Sequence, residues 1–333
     1  MIRFGVIGTS SITDEFIRCA KLHEEFFLQA VYSRTEEQGR IFADKHGAKH
    51  VFTNLEEMAQ SNLIDAVYIA SPNSLHASQA ILFMSHGKHV LCEKPLASNF
   101  KEVSLMVEAA KKYQILLMEA LKTTFLPNFQ AIKQNIHKIG TVRKFFSNFC
   151  QYSSRYDEYK AGKILNAFNP ALSNGSIMDI GVYCIYPAVY LFGKPERVSA
   201  NAIMLDSGID GAGSIILHYS EMEVIISHSK ITNSAAINEI QGEKGVIVIN
   251  KMSTPKQVKI IYRDGSSEEL QQDQSNDFMF YEVQEFISLI KNNKKESTIN
   301  SFQLSLEVIE IMDECRRQIG LRFPADEGIG ESF

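Results

Sequence analysis

Gly87-Lys88-His89-Val90-Leu91-Cys92-Glu93-Lys94-Pro95 is the stretch from which the rest of the chain can be read. His89 to Cys92 has the composition of a short buried strand, apolar, introduced by a glycine and stopped by a proline. Directly past its carboxyl end stand a carboxylate, Glu93, an amine, Lys94, and a residue that fixes the backbone, Pro95. Proline cannot extend a ladder, and it pushes the residue before it toward an extended conformation. In an open parallel sheet, ligands sit in the crevice outside the carboxyl ends of the strands. A lysine held at such a strand end is a candidate for chemistry if the flanking segments build a parallel sheet around it.

The first third of the chain supplies that sheet. Ile2 to Ile7 is a short apolar strand ending at Gly8, and Thr9-Ser10-Ser11 adds turn and N-cap chemistry before a helical pattern through Phe16, Ile17 and Ala20. A second strand, Phe27 to Tyr32, breaks at Ser33-Arg34 and leads into a polar helix ending near Gly47. Ala66 to Ala70 is a third buried strand, closed by Ser71-Pro72-Asn73. A helix from about Ser74 to Ser85 precedes the opening strand, and one from Lys101 to Tyr113 precedes Ile115 to Met118. Strands alternating with helices of this length specify βαβ units, and hence an α/β, doubly wound parallel-sheet domain of Rossmann type over residues 1–120.

Two turns of that domain bear on a cofactor. The turn Gly8-Thr9-Ser10-Ser11-Ile12 lies where a dinucleotide pyrophosphate would rest on backbone N–H groups at a helix N-terminus. Gly8 fits the first glycine of that fingerprint, whereas Ser10 occupies the second position and Thr13 the third. An ordinary tight turn reads equally from these residues alone. The end of the second strand, Tyr32-Ser33-Arg34, has no acid to hold a ribose 2′-hydroxyl. Ser33 can donate a hydrogen bond to a 2′-phosphate and Arg34 can pair with it, which favours NADP(H), with NAD(H) as the alternative. A lone arginine in a turn also reads as a solvated surface residue.

From Leu121 onward the texture changes to alternating strand-like segments, Val142–Phe149, Val198–Met204, Ser214–Tyr219, Glu223–Ser229, Ile237–Gln241, Gly245–Ile249 and Val258–Tyr262. One-sided alternation predicts an antiparallel-rich sheet with one face on helices and the other available to a partner, in an α+β domain over residues 121–333. Two amphipathic helices, about Phe278–Lys291 and Phe302–Ile319, follow, and the C-terminal helices are expected to pack back on the first domain. A helix is expected from Gly175 to Phe192. At 100° per residue it gathers Ile177, Ile180, Cys184, Ala188 and Leu191 in a core stripe and sets Asp179, Tyr183, Tyr186 and Tyr190 opposite. Asp179 and Tyr183 are neighbours on that face, which periodicity alone reads as a solvated surface with aromatic packing. Pro187 predicts a kink at the level of Tyr183.

The 333-residue length favours two domains, and 45% hydrophobic with 22% charged residues is ordinary for a soluble protein. A net charge of −5 without a basic tract argues against a nucleic-acid groove or an anionic membrane as partner. No apolar run reads as long enough to span a bilayer, and the N-terminus has no signal-peptide layout. The five cysteines, Cys19, Cys92, Cys150, Cys184 and Cys315, show no CxxC spacing, so no metal site and a reducing, cytoplasmic location are expected.

The early Gly turn, Ser71-Pro72-Asn73 followed by His76, and Gly87 through Leu96 together resemble the glucose–fructose oxidoreductase/inositol dehydrogenase/rhizopine-catabolism (Gfo/Idh/MocA) family. Asn174-Gly175-Ser176-Ile177-Met178-Asp179-Ile180-Gly181-Val182-Tyr183 is similar to the second signature of that family. A tyrosine at position 183 is similar to the dihydrodiol dehydrogenase, D-xylose dehydrogenase and glucose–fructose oxidoreductase branches. The resemblance implies a Rossmann domain followed by a domain with a large open-faced mixed, mostly antiparallel sheet that mediates formation of a homodimer or higher homo-oligomer. It implies a nicotinamide between the domains, with Lys94 contacting the nicotinamide ribose and substrate and a cis bond before Pro95. Gly8 to Ile12, Ser33, Arg34, Ser71, Pro72, Asn73, His76, Glu93, Lys94 and Pro95 are the implied cofactor-binding set. Thr124 stands where many members carry arginine, and the absence of tryptophan leaves Phe149, Tyr152, Tyr156 and Tyr159, with Arg155 alongside, for any stacking on a sugar face.

The chemistry expected is hydride transfer between a nicotinamide and a carbinol or carbonyl carbon of a sugar-like or cyclic hydroxy substrate. Removing hydride from an alcohol also requires removing its hydroxyl proton, and Tyr183 is the candidate acid/base. A free phenol titrates at about 10, and a neighbouring ammonium, here Lys94, favours the phenolate. Asp179 would orient the substrate hydroxyl or that lysine. Two rival readings stay open: a noncatalytic NAD(P)-binding sugar sensor, and a reductase of C=N or C=C bonds on the same fold.

Overall fold

In the computed structural model, which describes residues 1–327, apolar runs of the first third become strands and the segments between them become helices. In chain order these are β1 (Ile2–Ile7), α1 (Ser11–Ala20), β2 (Phe26–Tyr32), α2 (Glu36–His46), β3 (His50–Phe52), α3 (Leu55–Gln60), β4 (Ala66–Ile69), α4 (His76–Ser85), β5 (His89–Glu93), α5 (Phe100–Tyr113) and β6 (Leu117–Ala120). The six strands are parallel and ordered β3-β2-β1-β4-β5-β6, so the strand order reverses between β1 and β4. That switch point opens a crevice beyond the strand carboxyl ends, as the βαβ pattern predicts. Two elements escaped the pattern: β3 is too short to show a period, and α3 is held by its cap, Asn54, which accepts from the Glu56 and Glu57 amides. β6 begins two residues later than expected, which brings Glu119 into the ladder opposite Cys92.

β4 is buried along its whole length, the mark of a strand covered on both faces. Phe16 stacks on Tyr68 with ring centroids 3.6 Å apart, and Phe4 packs between Phe26 and Phe286. Contacts divide the chain into two compact units, the first formed by Met1–Lys122 with Asp277–Ser305, the second by Thr123–Asn276 with the residues from Leu306 onward.

The second unit begins with α6 (Pro127–Asn135), β7 (Val142–Cys150), α7 (Tyr156–Lys160) and α8 (Val182–Phe192). It continues with β8 (Arg197–Met204), β9 (Asp210–His218), β10 (Glu223–Ser229), β11 (Asn238–Gly242), β12 (Gly245–Ile249), β13 (Val258–Tyr262) and β14 (Ser267–Glu269). α9 (Met279–Lys291) packs on α1 within the first unit, and α10 (Phe302–Gln318) is the last long helix described. The eight strands form one sheet ordered β14-β13-β12-β11-β7-β10-β9-β8. β7 and β10 run parallel and the other pairs antiparallel, so the sheet is mixed and mostly antiparallel. Val224, Ile226, Ile215, Leu217 and Ile240 are buried on the helix-covered face. The other face carries a half-exposed row, Ile216, Ile225, Phe146, Glu239 and Val248, set side by side by the strand register.

The helix expected over 175–192 departs from the reading in two respects. Ile177–Gly181 is a π-helical turn, and α8 starts only at Val182. A wheel at 100° per residue fails across an i→i+5 turn. The face assigned to solvent is also not solvated, since Tyr183 and Tyr186 are 8% and 0% exposed and α8 is buried all round as far as Val189. Pro187 is accommodated inside the helix. An 18-residue window within Pro170–Phe192 has a mean hydropathy of 1.3, enough by length and composition alone, yet 78% of that window is buried inside the fold. It is a core segment.

Candidate active site

At the carboxyl end of β1 the chain must pass close to the end of β4. Gly8 has φ +106, and a Cβ there would lie 2.5 Å from the Ala70 carbonyl oxygen, so only glycine fits. Thr9, Ser10 and Ser11 are exposed, Gly8 and Ile12 half-buried, and Ser10, extended at the N-cap, makes no side-chain bond to the first turn of α1. The opening amides of α1 are thus not consumed by their own cap. Asp14, the acid in that turn, is engaged by Lys45 at 2.8 Å and His46 at 2.7 Å, which hold its carboxyl below the usual range. Thr13, at the third fingerprint position, is buried against the sheet. An open turn with backbone close-packed behind it and a helix dipole in front fits the pyrophosphate of a dinucleotide.

The tip of β2 adds Ser33 and Arg34. The Ser33 amide donates to the Phe52 carbonyl at 3.0 Å and its side chain tucks against Gly39 of α2, where an added Cβ would come within 3.2 Å of it. Ser33 is therefore more enclosed than its sequence position suggests, while Arg34 stands exposed. No acid occupies the tip, which fits a 2′-phosphate better than a bare 2′-hydroxyl.

Ser71-Pro72-Asn73 closes β4 and runs into the short turn before α4. The Ser71 hydroxyl donates to Gln79 Oε1 at 2.7 Å. His76 opens α4. It is fully buried, with Nε2 2.9 Å from the Ser71 carbonyl and Nδ1 3.1 Å from the Pro95 carbonyl. Burial lowers its proton affinity, offset in part by those carbonyls. With a main-chain carbonyl beside each ring nitrogen, His76 ties the loop after β4 to the loop after β5.

Lys94 is half-buried at the end of β5, and its bond to Pro95 is cis. Glu93 turns inward: its Oε1 accepts from the Tyr68 hydroxyl at 2.6 Å, and its Oε2 from the Lys94 amide at 3.3 Å. Two further acids lie buried close to Glu93. Glu119 accepts from the Leu96 amide at 3.0 Å and the Ser305 hydroxyl at 2.5 Å, and burial pushes its carboxyl up to about 7. Glu282 of α9 is fully buried with no partner for either carboxylate oxygen among the described residues, and burial beside Glu93 raises it well above the usual range. An acid inside the apolar run Leu117-Met118-Glu119-Ala120 was the available signal for the first. Glu282 had none.

In the second unit, Asp179 and Tyr183 lie on one continuous helical path, Asp179 in the π turn and Tyr183 in the first turn of α8. Three side chains from the sheet anchor that turn. Asp210 Oδ2 accepts from the Ile177 amide at 2.7 Å, His228 Nδ1 lies 2.8 Å from Ser176 Oγ, and Lys230 Nζ lies 3.0 Å from Asp179 Oδ2. Glycines make room for them. A Cβ at Gly175 would meet Asp210 Oδ1 at 2.1 Å, and one at Gly213 would meet His228 Nε2 at 2.8 Å. Burial pushes Asp210 up to about 7 and His228 down to about 3, so the imidazole is neutral at physiological pH. The Phe149 ring packs edge-on to Tyr183 at 5.6 Å. Tyr156 and Tyr159 pack on Phe168, whose ring lies 5.1 Å from the Lys230 ammonium. Lys230, His228 and Asp210 carry no sequence signal, because only the sheet brings them beneath residues 176–179.

Comparison with known proteins gives the same family from both ends of the chain. Residues 2–121 match the model of an oxidoreductase family with an NAD-binding Rossmann fold, and residues 129–248 match the C-terminal domain of Gfo/Idh/MocA proteins. The chain is 57% identical over 327 residues to scyllo-inositol 2-dehydrogenase (NADP(+)) IolU of Bacillus subtilis (strain 168), covering 98% of this chain and 100% of that one. It is 27% identical over 335 residues to a trans-1,2-dihydrobenzene-1,2-diol dehydrogenase of Xenopus tropicalis, covering 97% of this chain and 99% of that one. The solved structure of KijD10, a 3-ketoreductase from Actinomadura kijaniata with NADP and TDP-benzene, superposes with a TM-score of 0.83 at 21% identity, covering 96% of this chain and 98% of that one, and so attests the fold. By its sheets, its two family matches and its kinship with these dehydrogenases, this chain belongs to the Gfo/Idh/MocA family of oxidoreductases.

Proposed function

We propose that the chain is an NADP(H)-dependent dehydrogenase of a cyclic polyol of the inositol class. The observation that carries this reading is the π turn, which holds a carboxylate, Asp179, and a phenol, Tyr183, on one path over a sheet that fixes both. A ring bearing several hydroxyls suits such a pair, one group to receive a hydroxyl and one to move its proton. The 57% identity to the NADP-dependent scyllo-inositol 2-dehydrogenase of Bacillus subtilis supports the substrate class, and Arg34 with no acid at the β2 tip supports NADP(H) over NAD(H).

In this reading the first unit is the cofactor domain and the second the substrate domain. Gly8 to Ile12 hold the pyrophosphate, Ser33 and Arg34 the 2′-phosphate, and Ser71 to Asn73 with Glu93 to Pro95 line the same strand edge. The bound nicotinamide supplies a carbon that accepts or donates hydride. Tyr183 takes the proton from the reacting hydroxyl when the polyol is oxidised and returns it when the ketone is reduced. Lys94, past the end of β5, is the group of this strand edge that meets the nicotinamide ribose and the substrate. Asp179 receives a substrate hydroxyl and sets the ring's orientation. The Thr124 position carries no arginine, so orientation rests on these groups.

The open face of the second sheet supports association as a homodimer, its row from Ile216 to Val248 being apolar enough to bury and interrupted only by Glu239. Light scattering of the purified chain checks this, and a monomer at micromolar concentration overturns it. The functional reading is tested by screening scyllo-inositol, myo-inositol, aldoses and cyclic diols with NADP+ and with NAD+. Oxidation of an inositol with a higher kcat/KM for NADP+ is expected. No turnover of any cyclic polyol, or a preference for NAD+, defeats it.

A further inference from the structure

Lys230 lies just past β10, is 1% exposed, and places its ammonium on a half-open carboxylate. Burying a charge is costly unless it is paired and hydrogen-bonded, and an apolar side chain of similar volume often serves a fold as well or better. Lys230 is paired, but unevenly. Its Nζ donates to the Ala167 carbonyl at 2.7 Å, sits over the Phe168 ring and meets Asp179 Oδ2 at 3.0 Å, while the Asp179 side chain remains 41% exposed. The cation is thus locked inside the fold, and the anion it holds faces outward. A pair serving stability alone gains nothing by keeping one carboxylate at the surface.

The anchoring is continuous with the rest of the π turn. His228 and Lys230 are two residues apart, so both reach the same side of the sheet, one to Ser176 and the other to Asp179. Asp210 fixes the amide of Ile177 between them. The backbone of the Asp179 turn is therefore held independently of Lys230, and what Lys230 acts on is the carboxylate.

We propose that Lys230 is a positioning residue for the reaction, acting through Asp179: it fixes one carboxylate oxygen so that Asp179 presents a charged, preoriented acceptor to a hydroxyl of a neutral polyhydroxylated ring. The inference rests on the cyclic-polyol reading above. It makes Lys230 a second lysine of the reaction beside Lys94, with its part in substrate orientation. Preorganised charge of this kind gains effect by needing no reorganisation when substrate arrives.

The test is a double-mutant cycle in the full chain, with scyllo-inositol and NADP+ as probes, on Lys230→Met, Lys230→Gln, Lys230→Arg, Asp179→Asn and the Lys230→Met/Asp179→Asn pair. Lys230→Met and Lys230→Gln are expected to lose about 10–100-fold in kcat/KM, chiefly through KM, with NADPH affinity unchanged. Lys230→Arg should recover part of the loss. The pair should be no worse than Asp179→Asn alone, because one residue acts through the other. Losses that multiply in the pair overturn the proposal, as does a folded Lys230→Met with wild-type kcat/KM beside an impaired Asp179→Asn. If neither neutral variant folds, Lys230 is a structural residue and the proposal falls. A wild-type chain inert toward every cyclic polyol defeats the functional reading itself, and this inference with it, before any variant is made.

Discussion

At the carboxyl edge of the first sheet, each group is held by its own stretch of chain or by the next strand; on the π turn of the second unit, each is held by a residue from 33 to 52 positions away. Lys94 is placed by Glu93 before it and Pro95 after it, and Gly8 by the end of the neighbouring strand. Asp179, Ser176 and Ile177 are placed from beneath by Lys230, His228 and Asp210. The first construction uses main chain and strand ends, which any doubly wound sheet provides. The second uses buried polar side chains, which must be satisfied and so fix one geometry. In the proposed reading, a dinucleotide asks for a generic phosphate cradle, whereas a polyol ring asks for directed acceptors. The difference follows that demand.

Substitutions can break the comparison at either side. At the strand edge, Lys94→Ala should have the largest effect, lowering kcat about 10²–10³-fold in a steady-state assay, with NADPH affinity nearly kept. An unchanged kcat would leave the strand edge a binding platform only. Gly8→Ala comes next: its Cβ would lie against the Ala70 carbonyl, so weaker NADPH binding is expected by fluorescence titration together with a lower Tm. Arg34→Ala should raise the Kd for NADPH about tenfold, in keeping with the loss of a charged hydrogen bond, and barely alter that for NADH. Equal losses for the two cofactors would assign Arg34 to the surface.

The smallest effect expected is on stability. Glu119 is pushed up to about 7 by burial, above its ordinary 4.5, so the folded state keeps a proton that the unfolded chain gives up between those values. Stability from this group is fully present below about pH 4.5 and is lost as pH rises through about 7. Glu119→Gln should therefore flatten the fall in Tm between pH 5 and 8, relative to wild type, by a few degrees. A parallel pair of Tm profiles would show that Glu119 titrates normally.

The same contrast explains what could be read in advance. Strands alternating with helices specified the parallel sheet, and period-two alternation located seven strands of the second sheet, because both patterns are local. β14, only three residues long, was missed, as was β3. Asp179 and Tyr183 were recognisable by their signature, but their surroundings were not. A wheel placed them on a solvated face, while Tyr183 proves buried, since the sheet and Phe149 cover it. Lys230 looked like any lysine after a strand. Only the pairing of β10 with β9 and with β7 brings it beneath the π turn, and the pairing with β7 is non-local. The seat of His76 between the Ser71 and Pro95 carbonyls was equally out of reach, because it depends on the loop after β5.

The most direct test of the central claim is Tyr183→Phe, which removes one oxygen and keeps the ring against Phe149. If Tyr183 moves the substrate proton, kcat for scyllo-inositol with NADP+ should fall about 10²–10⁴-fold while NADPH binds with wild-type affinity. A Tyr183→Phe chain that turns over within about threefold of wild type would contradict the account and place the proton on another group.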